Sequence, residues 1–600
     1  MLPLPLPPQA ASAAIKANAT PARTDPRRSC KRAPFISPPR SSQQCPTRQV
    51  YSAVLHHSEG SVQECRCLKK ERAMQLNRAK ILKKGEALID ERRYAEAERL
   101  YQEAIRQRPK DVKLYAALAR LLMRHMKRAK HADQVIAHAL KLDRSDYEVL
   151  REAAELCFRK DDLVAAKKYA KDSLVRGGND PDTLYVAATV FEKLDEFDEA
   201  VECLDRVLKK RPDHLPSRIL HAKCIRSLGR LDESASICRN ILETHPNSLK
   251  VMGIYSESVK FKEGDPHVEN LENTIIPALR DQGRDVALQT ALKCLAKSRL
   301  DTGQHEEAFL LFKEAKELLP SQHDRAKQKT YVAELKANVA IADYFGRATY
   351  DEERPVLIVG MPRVGSTLLE QVIASHPQTA AVGESGALRS LLPFLGVPQA
   401  NGAEMSKLIK TVSEEKLGLV RQAYLEQTAN RRPGALRVVD KNLHNFELLG
   451  LFARMFPEAR IIHARRDPMD NCVACYLQRL SKWHSYTDDL TSLGQYYREH
   501  IELMAHWKKV LPNPIMEVPY ENMVADTEGM ARKVIDFLGL EWDDACLNFQ
   551  ETENRAKTLS VWQVRQPIYK SSVKRWKKYE AHLDALKKEL QPFYPNGFDD

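Results

Sequence analysis

The sequence predicts a chain in two parts: an all-α superhelix of repeated helix pairs, followed by an α/β domain whose parallel sheet is flanked by helices. Three observations predict it. Small residues recur at Ala97, Ala132, Ala166, Ala200 and Ser234, spaced 35, 34, 34 and 34. At Pro355 the pattern changes to a short apolar strand that runs into a glycine loop, "VLIVGMPRVGSTLLEQ". Farther on, "ARIIHARRDPMDNCVACYLQRL" reads as a strand, an arginine pair and a helix. Six hundred residues exceed what one core holds, and the expected boundaries are 1–73 for a leader, 74–325 for the repeats, 326–354 for a helical linker and 355–600 for the loop domain.

The leader is rich in Pro, Ser, Ala and Arg, has neither helical nor strand periodicity, and reads as disordered. It holds twelve Lys and Arg against four acids, so of the net +13 only +5 belongs to the rest. That balance gives a basic tail rather than a nucleic-acid-binding body. Scarcity of acids resembles an organelle transit peptide; an unstructured leader, or a start placed upstream of Met74, is the plainer account. No stretch approaches the ~18 apolar residues of a membrane span. The twelve cysteines are scattered without a disulfide framework, as in a reducing, cytoplasmic-type compartment. Cys472 and Cys475 form a C-x-x-C inside an apparent helix, where packing rather than metal binding is expected.

In the repeats, a larger residue follows four positions after most of the small ones: Tyr101, Ile136, Ala170, Leu204 and Cys238. Three positions further lie Ala104, Ala139, Ser173, Val207 and Ile241, and Pro109, Pro212 and Pro246 close three units. This period and spacing is that of tetratricopeptide repeats, whose antiparallel helices pack through the small residues. "RLDTGQHEEAFLLFKEAKELLP" repeats it at Ala308, Phe312, Ala315 and Pro320, and the interval 250–290 departs from it. A solenoid of this kind binds a peptide or protein segment on its concave face, or serves as scaffold for the adjoining domain or as a homodimer surface.

Pro355–Val359 is a buried strand, Gly360–Gly365 turns tightly, and Leu368, Leu369, Val372 and Ile373 make one apolar stripe on a following helix. Strand, glycine loop and helix N-terminus form an anion site. A nucleotide-triphosphate loop has a lysine where this chain has Ser366, and no second acidic strand for a metal follows. ATP chemistry is therefore disfavoured, and a P-loop kinase is kept as an alternative. Ala459–Ala464 reads as the second strand, with Arg465 and Arg466 at its end, Asp467 as N-cap and Pro468 as first helical residue. A surface arginine pair bonded to Asp467 or Asp470 is the bland reading of that motif.

"GMPRVGSTLLEQ" resembles the 5′-phosphosulfate loop of sulfotransferases that use 3′-phosphoadenosine 5′-phosphosulfate (PAPS), usually Pro-Arg-Ser-Gly-Ser/Thr-Thr. The second motif looks like their 3′-phosphate site. The match runs from Pro355 to about Trp576 and is most similar to the tyrosylprotein sulfotransferases and related repeat-plus-sulfotransferase proteins. The resemblance implies a sulfotransferase-type P-loop fold with PAPS as co-substrate and no required metal. It makes Arg363, Val364, Gly365, Ser366, Thr367, Arg466, Ala474, Tyr520, Ser560 and Arg575 candidate PAPS contacts, with Lys574 the alternative to Arg575. Lys441 in "VVDKNLHNFELLG" resembles the family's strand-end lysine, and Tyr520–Glu521 its Tyr-Glu element. Val364 replaces the usual loop serine, which leaves the backbone donors in place. Ala474 stands where the family carries a serine, and one lost hydrogen bond to a charged group is worth about 1.5–3 kcal/mol.

Sulfuryl transfer needs an in-line donor and acceptor, positive charge around the moving group and a base for the attacking hydroxyl. Glu384 in "AVGES", at the expected end of a second strand, is the candidate base; the family has two adjacent acids here, this chain one. Glu384 capping the next helix or pairing with Arg389 is the structural alternative. His444 is the runner-up base, with a surface histidine as its plainer identity. Lys441 and Arg363 are the candidate charge stabilisers, and Lys441 could instead pair with Asp440. The expected function is PAPS-dependent sulfation of a protein or peptide tyrosine recruited by the repeats. A carbohydrate or small-molecule hydroxyl, and an interaction protein with a degenerate transferase domain, are the alternatives. Family members in the Golgi have an N-terminal membrane anchor; here the basic leader is the only targeting candidate.

Overall fold

Alanine or serine every 34 or 35 residues leaves helices no wider than their backbones at those points, and neighbouring helices close on them. The computed structural model describes residues 78–344, 352–478, 480, 482–549 and 573–598. All five small positions, Ala97, Ala132, Ala166, Ala200 and Ser234, are 0 % exposed. The larger residues four further on, Tyr101, Ile136, Ala170, Leu204 and Cys238, are likewise buried. Each of these sets lies on the second helix of a pair.

The chain divides into two compact units, Met1–Glu152 and Ala153–Asp600. In the first, helices Arg78–Asp90, Tyr94–Gln107, Val112–Arg124 and Ala129–Leu142 follow one another as hairpins. Gly85 marks a close approach there: a Cβ would lie 2.2 Å from the Tyr101 hydroxyl. The second unit continues with Leu163–Gly177, Pro181–Lys193, Phe197–Lys210, Leu215–Ser227, Leu231–Thr244 and Leu249–Ser258. The irregular interval then contains a π turn, Leu271–Ile275, between Pro266–Asn270 and Ile276–Asp281. Asp285–Asp301 and His305–Glu317 restore the hairpin, with Ala308, Phe312 and Ala315 buried. The expected helical linker begins with the helix Arg325–Asn338.

The described sheet has five parallel strands: β1 (Pro355–Gly360), β2 (Thr379–Gly383), β3 (Arg437–Asp440), β4 (Arg460–Arg465) and β5 (Ile515–Pro519). Their order is β2-β3-β1-β4-β5, and β4 starts and ends one residue later than the expected Ala459–Ala464. β1 is buried along its whole length, as its unbroken apolar run requires. The loop helix Ser366–Ala374 is buried on two faces rather than along one stripe. Leu369 and Ile373 join the main core, while Val372 packs with Ala531, Ile535, Cys546 and Phe549.

That main core does not stop at the repeats. Phe309 of the last hairpin stacks on Tyr476 at 5.3 Å and on His582 at 4.7 Å between ring centroids. Lys316 is buried beside them, its amine donating to Thr487 O at 2.8 Å and lying 4.9 Å from the Tyr476 ring centre. Burial pushes this amine down to about 8. Among the described residues, no helix is long and apolar enough to cross a membrane.

Candidate active site

A parallel sheet presents all its carboxyl ends on one side, and beside β1 the strand order reverses, which opens a crevice there. Every candidate of known position in the sheet region sits at such an end. The loop Met361–Gly365 follows β1, Glu384 follows β2, Lys441 follows β3, Arg466 follows β4 and Tyr520 follows β5.

The loop depends on two glycines. Gly360 has φ +155, and a Cβ on it would meet Ala464 O at 2.5 Å; Gly365 has φ +85, and a Cβ on it would meet the Tyr520 ring at 2.4 Å. Between them Arg363 holds φ +68, a left-handed conformation that costs an L-residue about 1–2 kcal/mol. Contacts from beyond β4 hold it there. Arg466 Nη1 donates to Arg363 O at 3.1 Å, Asn471 Nδ2 to Pro362 O at 2.8 Å, and the Cys475 thiol to the same oxygen at 3.1 Å. Gly365 caps the loop helix, so the N–H groups of its first turn, at Ser366 and Thr367, open toward the crevice. Val364 is 3 % exposed and belongs to the hydrophobic core, so its contribution to the loop is packing and a backbone N–H.

Lys441 is wholly buried, yet its ammonium reaches two carboxylates: Glu370 Oε2 at 3.3 Å and Glu384 Oε1 at 3.2 Å. Glu370 is 3 % exposed on its side chain and Glu384 61 %. Burial pushes the Glu370 carboxyl up from its ordinary value, against the pull of Lys441. The expected alternatives for both residues give way here. Lys441 does not bridge to Asp440, whose carboxylate accepts from the Tyr424 hydroxyl at 3.0 Å and from the Asn442 N–H at 3.0 Å. Asp440 is pushed up to about 7 by burial. Arg389, the other suggested partner of Glu384, bonds Glu447 at 2.9 Å, and the Ser385 hydroxyl rather than Glu384 accepts from Ala387 N.

The two arginines after β4 separate in role. Arg465 pairs with Glu517 of β5 at 3.0 Å, whereas Arg466 turns to the loop and lies over the Tyr520 ring at 4.9 Å. Tyr520 is thus the floor beneath Arg466 and Gly365. Asp467 caps helix Pro468–Tyr476 as expected, accepting from Asp470 N at 2.8 Å, and also takes the Tyr594 hydroxyl at 2.7 Å. Neither acid forms the surface pair suggested for the arginines. Buried Asp470 instead accepts the N–H groups of Lys574 at 2.6 Å and Trp576 at 2.9 Å. This clasp brings Arg575 to the helix that carries Ala474, which is partly exposed. Ser560 lies outside the described residues.

His444 is not a surface histidine. Its Nε2 is 3.1 Å from the Tyr486 hydroxyl and its ring 5.0 Å from His484, and burial pushes it down to about 3. Cys472 and Cys475 are both buried as free thiols within their helix, and burial pushes Cys475 up to about 12. Among the described residues no group of three or more His, Cys, Asp and Glu is disposed to hold a metal ion. The sequence points to neither Glu370 nor Asn471, and to Asp470 only as a partner for the arginines; the one signal for Glu370 is that it stands four residues after Ser366, on the same helix face.

The repeats carry a second concavity. A groove of about 1030 Å³ runs between Leu215–Ser227, Leu249–Ser258 and the start of Asp285–Asp301, lined by Leu215, Ile219, Ile254 and Val286 with Lys250 and Arg284 at its edge.

Residues 355–544 match the sulfotransferase family, and residues 82–132 and 185–248 the tetratricopeptide repeat. An uncharacterized protein of Aquifex aeolicus is 30 % identical over 417 residues, covering 66 % of this chain and 52 % of its own length. Protein-tyrosine sulfotransferase 1 of Danio rerio is 24 % identical over 241 residues, which is 38 % of this chain and 67 % of that protein. The chain therefore spans about half the length of the Aquifex relative. The solved sulfotransferase domain of the Synechococcus PCC 7002 olefin synthase is 20 % identical with a TM-score of 0.31, over 42 % of this chain and 98 % of that one.

Proposed function

We propose that this tetratricopeptide-repeat protein, with its sulfotransferase-family domain, transfers a sulfuryl group from PAPS to a hydroxyl, and that the hydroxyl is a tyrosine of a protein or peptide. One observation carries the reading. Arg363, Lys441 and Arg466 follow three adjacent strands beside a helix N-terminus bounded by glycines, with the Glu384 carboxylate 3.2 Å from Lys441. Three cations and a set of backbone N–H groups suit a ligand with anionic groups at both ends. The chain also fits in what it lacks: with serine at the lysine position, the loop is not built for a γ-phosphate.

PAPS, when bound, supplies a sulfuryl group on a phosphate leaving group. The loop N–H groups, Arg363, Ser366 and Thr367 would hold its phosphosulfate, and Arg466, braced on Tyr520, its 3′-phosphate. Lys441 neutralises charge that develops on the leaving phosphate. Glu384, the most exposed member of its cluster, takes the acceptor's proton. The apolar groove in the repeats, with Lys250 and Arg284 at its edge, would retain a segment of the acceptor protein.

The test is transfer of labelled sulfate from PAPS to a tyrosine peptide. Glu384→Gln should keep calorimetric affinity for adenosine 3′,5′-bisphosphate while kcat falls about 10²–10⁴-fold. Failure of the wild-type chain to bind PAPS overturns the reading. It would favour an interaction protein with a degenerate domain, to which the partly exposed Ala474 points.

A further inference from the structure

Lys441 is asked to be cationic at the moment when its accessible counter-ion disappears. Glu384 is negative while it waits, and once it takes the acceptor's proton it is neutral. A fully buried ammonium without a counter-charge readily gives up its own proton. Lys441 is 0 % exposed, so water does not replace the lost partner.

We propose that Glu370 is a positioning residue for sulfuryl transfer, a permanent buried counter-ion that keeps Lys441 charged and aimed at the donor while Glu384 cycles between its two forms. The inference rests on the proposed function and extends it to a residue outside the loop's own motif. Glu370 and Ser366 share one face of the loop helix, at i and i+4, so the carboxylate that grips Lys441 is carried by the element whose N-terminus grips the phosphosulfate. Its Oε2 is 3.3 Å from the ammonium, against 3.2 Å for Glu384 Oε1, so the two acids grip Lys441 comparably. Lys441 N also donates to Gly383 O at 2.9 Å, which ties the ends of β3 and β2 together. Among the described residues, the charged and titratable groups that face Glu370 are Lys441, Glu384 and, one residue before the lysine, Asp440.

The charges balance through the step. The acceptor oxygen bonds to sulfur, the bond from sulfur to the 5′-phosphate oxygen breaks with its electron pair left on that oxygen, and the hydroxyl proton passes to Glu384. Glu370 neither gains nor loses a proton. It leaves Lys441 paired at the end of the step, when the phosphate carries its new charge.

A binding measurement and a double-mutant cycle test this. Calorimetric affinity for adenosine 3′,5′-bisphosphate, followed from pH 7 to 10, should fall off at a lower pH in Glu370→Gln than in wild type. In transfer assays Glu370→Gln should lower kcat about 10–100-fold, a fraction of what one transition-state donor supplies, with KM for PAPS at pH 7 changed less than threefold. In a Lys441→Met background the same substitution should have no further effect, because Glu370 acts through the lysine. Should Glu370→Gln alone not fold, the double variant, which removes both charges of the buried pair, is compared with Lys441→Met. Equal kcat in these two supports the proposal, and a further loss overturns it. A Glu370→Gln protein with wild-type kcat and a wild-type pH profile of binding also overturns it, while leaving the proposed function intact. A wild-type chain that transfers nothing from PAPS removes both.

Discussion

Gly365→Ala perturbs the loop with one methyl group, and its cost can be worked from two independent terms. The residue holds φ +85, where an L side chain costs about 1–2 kcal/mol. The added Cβ would also stand 2.4 Å from Tyr520 Cδ2, so the ring must retreat by roughly 1 Å to reach ordinary contact, an overpacking worth about 1–3 kcal/mol. The sum is about 2–5 kcal/mol of folding stability, read by denaturant unfolding. Retreat of the ring also removes the floor under Arg466, so affinity for adenosine 3′,5′-bisphosphate should drop at least tenfold by calorimetry. A Tyr520→Ala background separates the terms: there the methyl has no ring to meet, and Gly365→Ala should cost only the backbone part, about 1–2 kcal/mol. Equal increments in the two backgrounds, or wild-type affinity in Gly365→Ala, would refute the reasoning.

Two further outcomes follow from buried carboxylates. Asp470→Ala removes the acceptor of two backbone N–H groups, those of Lys574 and Trp576, each bond to a charged group being worth about 1.5–3 kcal/mol. Protease cleavage near residue 573 should quicken and nucleotide affinity fall; unchanged cleavage contradicts the clasp. Asp440 gives a pH dependence of unusual sign. Burial raises it from 3.8 to about 7, so between those values the folded chain holds a proton that the unfolded chain has released. Stability contributed by this group therefore falls as pH rises through the window and is constant above it. The difference is of order 4 kcal/mol, about three pKa units. Asp440→Asn should thus gain stability over wild type at pH 8 but not at pH 4, and a gain independent of pH in unfolding curves would count against this.

What the sequence made legible is what local geometry forces. Small residues 34 apart can only be helix contacts in a repeating array, and Ala97, Ala132, Ala166, Ala200 and Ser234 are all fully buried. A β-branched run ending in Gly360 and followed by Gly365 announces a strand and an anion loop, because no other residue tolerates both conformations. Asp467–Pro468 announces the helix start for the same local reason. The unread features depend on pairs of residues far apart in the chain. A single apolar stripe on the loop helix leaves Glu370 outside the stripe, as if in water; it is buried on the side where Lys441 comes to it from another strand. Arg465 and Arg466 are adjacent and identical in type, and only the neighbouring β5 with its Glu517 decides which one remains for the loop. His444 reads as polar and surface-bound until Tyr486, some forty residues later, packs against it.

The stacking of Phe309 between Tyr476 and His582 bears on where such a protein can be cut or recombined. The family match begins at residue 355, but the packing that supports the helix Pro468–Tyr476 begins some fifty residues earlier, in a hairpin counted with the repeats. A fragment started at the first strand would expose Tyr476 and the Tyr579 ring, whose centroid lies 5.9 Å from that of Phe309, to solvent. The smallest transplantable piece therefore carries His305–Glu317 with it. By its spacing the last hairpin is a repeat, and by what it buries it belongs to the domain that follows.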